Sequence, residues 1–138
     1  MRFRVMTKRT KTHFLNVDLD ICAKEDLKGL VRAFKPGAFP LNCRVVDGAY
    51  FASLELEAVA AGPNIAIRRF VKLIESLPPK ARAIWNRASK REFSIGIEAG
   101  RLPGSAEFAL TPATLKLAAR VRAGVAFVVY VHEREMSE

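Results

Sequence analysis

The stretch F-A-L-T-P-A-T-L-K-L-A-A-R-V-R-A-G-V-A-F-V-V-Y, from Phe108 to Tyr130, allows few folds, because it spells a strand, a capped helix and a second strand in close succession. Thr111 supplies a hydroxyl that can accept from the free amides of a first helical turn, and Pro112 suits the first helical position, where no donor is needed. Arg120 and Arg122 fall in the last turn, where cations complement the helix dipole, and Gly124 offers a left-handed exit. The apolar run Val125 to Val131 follows at once, and a strand apolar on both faces predicts a central position or a dimer seam.

The rest of the chain supplies the sheet that this unit needs. From His13 to Cys22, H-F-L-N-V-D-L-D-I-C alternates with period two, so Leu15, Val17, Leu19 and Ile21 share one face and Asn16, Asp18 and Asp20 the other. Leu27, Leu30, Val31 and Phe34 then recur at helical spacing, with Glu25 and Asp26 in the first turn and Pro36-Gly37 as the stop. Residues 36–42 read as a loop with Phe39 tucked at the core edge, and Asp47-Gly48 joins two strands, Cys43–Val46 and Ala49–Glu57, in a hairpin. Asn64 reads as the N-cap of a helix carrying Ile67, Phe70, Val71, Ile74 and Leu77. Pro78-Pro79 ends that helix and starts another, with Ala81, Ile84, Trp85 and Ala88 at offsets of three, four and seven. Arg91–Ala99 alternates again, and Ala106–Leu110 leads back to the closing unit. The expected fold is α+β, in the order β-α-β-β-α-α-β-β-α-β: a single, mostly antiparallel sheet of five or six strands with helices packed on one face. Three regions are expected: a basic arm or edge strand over 1–12, one α+β domain over 13–132, and a polar tail over 133–138. The first and last strands are candidate sheet edges, the last with the central or dimer-seam position as its alternative.

A chain of 138 residues, half of them hydrophobic, suits one core. Its formal charge of +9 bears on association rather than fold, and favours anionic partners. The arm carries Arg2, Arg4, Lys8, Arg9 and Lys11 but lacks the apolar run of a signal peptide, and no stretch suggests a membrane span, so a cytoplasmic protein is expected. Cys22 and Cys43 make neither a disulfide framework nor a paired metal-ligand motif and read as reduced, buried small residues.

Little in the pattern points to catalysis. His13 and Cys22 lie about 30 Å apart along one strand, too far for a dyad, and Gly100-Arg101-Leu102-Pro103-Gly104 lacks the spacing and free amides of a phosphate loop. No catalytic, cofactor-binding or metal-binding set is therefore assigned, and no cofactor is implied. The charges do sort by element. Asp18, Asp20, Glu55, Glu57 and Glu98 fall on the polar faces of strands, which would gather them into an acidic patch on an open sheet face. Lys24, Lys28, Arg32 and Lys35 line the first helix, Arg68, Arg69 and Lys72 the second, Arg82, Arg87 and Lys90 the third, and Lys116 and Arg120 the fourth. Without stacking aromatics or groove-reading side chains among them, the basic face suits only non-specific phosphate contact.

The second half resembles a family of small bacterial domains of unknown function. The resemblance rests on the helix Phe70-Val71-Lys72-Leu73-Ile74 to Leu77, on Leu110-Thr111-Pro112-Ala113-Thr114-Leu115-Lys116-Leu117-Ala118 as an L-[ST]-P-x-x-L-x-x-L-A pattern, and on a strand ending Val128-Val129-Tyr130. It implies the fold and assigns no site. The leading expectation is a non-enzymatic interaction or regulatory module, of the kind that neutralises a toxin, with a protein partner or a second copy. A polyanion binder using the basic helices and a divalent-metal enzyme using the acidic residues are the alternatives.

Overall fold

The computed structural model describes residues 10–132. Most of the expected arm and the whole polar tail thus lie outside the described residues. The sheet is laid out around β1 (His13–Ala23), flanked by β3 (Ala49–Leu56) and β4 (Lys90–Glu98), both antiparallel to it. β2 (Ala38–Val46) and β5 (Gly124–Tyr130) complete the order β2-β3-β1-β4-β5, with only β5 parallel to its neighbour. Four helices, α1 (Lys28–Ala33), α2 (Pro63–Glu75), α3 (Pro79–Arg87) and α4 (Pro112–Arg120), cover one face. This is the α+β arrangement that the alternating patterns anticipate.

Period-two alternation builds the core from the sheet side. Val17, Leu19 and Ile21 of β1 are buried, and Leu19 lies in register between Leu54 of β3 and Phe93 of β4. From the helix side Ala66, Ile67, Phe70, Val71 and Ile74 of α2 close over them, with Phe70 and Phe93 ring centroids 5.8 Å apart. Leu15, expected on the same face, is exposed, because a register shift between Phe14 and Asn16 turns Phe14 toward the core in its place.

Local chemistry sets the ends of the elements. Asp47 and Gly48 both take positive φ, 51° and 78°, which gives the β2–β3 turn the twist a two-residue hairpin needs. Thr111 caps α4 as its sequence implies, its Oγ1 accepting from the Thr114 amide at 3.1 Å. Asn64 lies inside α2, which starts at Pro63, and its side chain does something else. It donates to the Ala109 carbonyl and accepts from the Thr111 amide, tying the lead-in of α4 to the start of α2. Ala106–Leu110, expected as a strand, joins no ladder. The left-handed exit from α4 falls on Arg122 (φ 62°) rather than Gly124, which opens β5 instead. The supposed loop at 38–42 is the first half of β2. Pro40 is tolerated there because β2 is an edge, and the ladder shifts register between Pro40 and Asn42.

One expectation of strand position is reversed and another is met: β1 is central rather than an edge, whereas β5, the last strand, is an edge and not the central strand that its two apolar faces also allowed. Among the described residues nothing pairs with the outer side of β5, and Phe127, Val129 and Tyr130 are about half exposed.

Where α3, α4 and β4 meet, polar side chains hold main-chain ends together. Trp85, fully buried and edge-on to Phe34, donates its indole N–H to the Val121 carbonyl at 3.1 Å. Arg91 donates to the carbonyls of Trp85, Ala88 and Arg122 at 3.0, 2.8 and 3.0 Å, and so closes the C-terminal ends of both helices. Burial, and then neighbouring Arg122, work against its charge, which these carbonyls offset. Arg91→Met leaves those carbonyls without their donor and is expected to cost about 2 kcal/mol, lowering the melting midpoint by roughly 5–8 °C. Arg91→Lys should fail to restore it, since one ammonium cannot span carbonyls on two elements. A thermal melt of Arg91→Met within 1 °C of the parent would contradict this role.

Candidate functional site

The face of the sheet without helices carries the polar halves of β1, β3 and β4. Across its middle, Asp18 of β1 stands between Glu55 of β3 and Ser94 of β4, and Asp20 between Ser53 and Glu92. Glu98 pairs in register with His13 at the far end, their side chains 3.5 Å apart. The alternation thus brings Asp18, Asp20, Glu55 and Glu98 onto one open face. Glu57 does not join them: it lies past the end of β3, its amide bonded to the Gly37 carbonyl, and lines a cleft with Arg69 and Lys72. Its place is taken by Glu92, which has the same strand parity as Glu98 and was identifiable from that alternation alone.

The carboxylates are held differently. Asp20 accepts from Ser53 Oγ at 2.7 Å, and Asp18 accepts from Asn16 Nδ2 at 3.0 Å. Burial pushes the Asp18 carboxyl up to about 6, and the charges of Asp20 and then Glu55 add to the effect. Among the described residues, no three of His, Cys, Asp and Glu stand close enough together to hold a metal ion. The acids spread over a surface rather than converging on a point.

Toward the β2 edge the face changes character. A shallow cavity of about 290 Å³ is bordered by Asp20, Cys22, Asn42, Arg44, Phe51 and Lys90. The Arg44 guanidinium sits 5.3 Å from the Phe51 ring centroid, and Lys90, expected on a helix, opens β4 and pairs with Glu92 at 3.4 Å. Acidic centre and basic margin therefore share one surface. Cys22 is half-buried and Cys43 exposed, neither being the buried small residue expected. His13 and Cys22 stand at opposite ends of β1.

The helical layer is basic, as the sequence implies, but part of that charge is committed. Arg87 grips Glu25 through two contacts of 2.8 Å, and Arg120 grips Glu75 at 2.7 and 2.8 Å; each guanidinium holds its carboxyl below the usual range. Arg82 bonds to Asn86 and to the Ile74 carbonyl. Lys24, expected on α1, lies in the turn between β1 and that helix. Among the described residues Lys24, Lys28, Arg32, Arg68, Arg69, Lys72 and Lys116 are exposed and form no ion pair. Comparison with family models, with curated proteins and with solved structures finds no match for this chain.

The raised Asp18 carboxyl fixes the sign of a pH effect. The folded chain holds this proton up to about pH 6 while the unfolded chain releases it near 3.8, so this group's contribution makes stability fall as pH rises between those values. Asp18→Asn keeps the hydrogen bond from Asn16 and removes the charge. At pH 7 it is expected to raise the melting midpoint by roughly 3 °C, about 1 kcal/mol after allowance for solvent screening, and to change it little at pH 3.5. Melts showing no gain at pH 7, or an equal gain at both pH values, would contradict it.

Proposed function

We propose that this chain is a protein-interaction module that receives a basic segment or surface of its partner on the acidic open face of the sheet. The observation that supports the reading is the crowding of Asp18, Asp20, Glu55 and Glu92 at the middle of that face, with Asp18 pushed up to about 6. Carboxylates that repel one another are stabilised when a cation arrives between them, and the chain otherwise carries an excess of positive charge that this face interrupts. A flat, half-buried sheet face also suits an extended basic peptide better than a small substrate, which needs an enclosing cleft. A cation binds the ionised form of Asp18, so affinity should rise with pH from 5 to 7 and fall with salt.

Fluorescence anisotropy with a labelled arginine- and lysine-rich peptide at ~50 mM salt tests this. The double variant Asp18→Asn/Asp20→Asn is expected to weaken binding tenfold or more, and Lys72→Glu on the opposite layer to leave it unchanged. Binding that is pH-independent, or indifferent to the double variant, overturns the proposal. A second reading rests on the exposed cations Lys28, Arg32, Arg68, Lys72 and Lys116 of the helical layer, which suit a polyanion. It requires single-stranded RNA to bind in the same assay, to lose affinity steeply with salt and to respond to Lys72→Glu.

A further inference from the structure

Among the described residues no strand pairs with the outer side of β5, and the composition of that edge is unusual. Phe127, Val128, Val129, Tyr130 and Val131 keep between 37% and 74% of their surface exposed. Between Gly124 and Val131 there is no proline and no side chain charged at neutral pH. The other edge, β2, carries Pro40, a register shift and Arg44, the devices that discourage edge pairing. β5 carries none of them.

We propose that β5 is the seam of a homodimer, in which two copies pair their β5 strands antiparallel about a two-fold axis normal to the sheet. The main chain is disposed for it. The Tyr130 carbonyl turns inward to accept from the Ala99 amide at 2.9 Å, so the two-residue period turns the N–H and C=O of Val125, Phe127 and Val129 outward. With Phe127 opposite its own copy and Val125 opposite Val129, these outward groups exchange about six hydrogen bonds. The side chains match as well: V-A-F-V-V reads nearly alike in both directions about Phe127, and every facing pair is apolar.

A second copy fits better than a foreign strand for a reason of charge. Nothing between Gly124 and Val131 can select a charged partner, so the complement must itself be an exposed, uncharged edge that is apolar on both faces, and this chain carries one. Covering the exposed residues of two copies buries on the order of 1,000 Å², near the lower limit for a specific interface. The two-fold keeps both helical layers on one side and both acidic faces on the other. The dimer does not depend on what those faces bind.

Sedimentation equilibrium on the full chain, from ~1 to 100 µM, reads the outcome directly, the specific-interface range being compatible with micromolar dissociation. A mass of about twice 15.3 kDa is expected, with Val129→Lys weakening association at least thirtyfold while its circular dichroism and melting midpoint stay near the parent's. In a Cys43→Ser background, Phe127→Cys should cross-link under mild oxidation, because the two-fold places the substituted positions opposite each other. A chain monomeric at 100 µM overturns the proposal, and protection of the Phe127 amide in that monomer would show that another segment of the same chain covers the edge. A dimer that both Val129→Lys leaves intact and Phe127→Cys fails to trap places the interface elsewhere and overturns it too.

Discussion

β1 is the constraint on which the rest of the molecule depends. It pairs on both sides, with β3 and with β4, and its alternate residues look in opposite directions. Val17, Leu19 and Ile21 are buried beneath the helices, each contributing about 1.5–3 kcal/mol relative to exposure. The alternation that drives them inward puts Asp18 and Asp20 on the opposite face with no freedom to turn away. Glu55 and Glu92 arrive beside them through the registers of β3 and β4. The acidic face is thus a consequence of the same period that forms the core, and the raised Asp18 carboxyl records the energetic strain of that placement.

The helical layer is coupled to the sheet at few, specific points. Arg91 and Trp85 join the C-terminal ends of α3 and α4 to the start of β4, and Asn64 joins the lead-in of α4 to α2. Arg120 reaches from α4 to Glu75 at the end of α2, and Arg87 from α3 to Glu25 ahead of α1. Cations that would otherwise add to the positive layer thereby become cross-links between helices. Among the described residues, the helical charge without an ion-pair partner lies mainly on α1 and α2, away from the acidic face.

Local patterns were legible in the sequence, and spatial order was not. Strand alternation, the Asp47-Gly48 turn, the Pro78-Pro79 break and the Thr111-Pro112 cap each follow from chemistry within a few residues. Leu15 was misplaced because one irregular residue in β1 inverts the faces of everything before it. The sequence left β5 between an edge and a central place because an apolar run reads alike whether a neighbouring strand covers it or nothing does, whereas β1, expected at an edge, is central. Ala106–Leu110 has strand-like composition but no ladder to join, and Arg122 takes a left-handed turn that composition assigns to Gly124. Glu92 and Glu57 exchange roles because the end of β3 is set by the Gly37 contact, far away in sequence. Arg91, the most connected polar side chain at the helix ends, has no sequence signature, since its acceptors are main-chain carbonyls.

If β1 organises the fold, its amides should be the last to exchange with solvent. Native-state hydrogen exchange measures this residue by residue. The amides of Leu19, Asp20 and Ile21 are expected to exchange only through global unfolding, with a free energy equal to that from denaturant melts, while amides of edge strand β2 open at lower cost. Exchange of β1 through a cheaper, partial opening, with β2 or β5 surviving it, would contradict the central place of this strand.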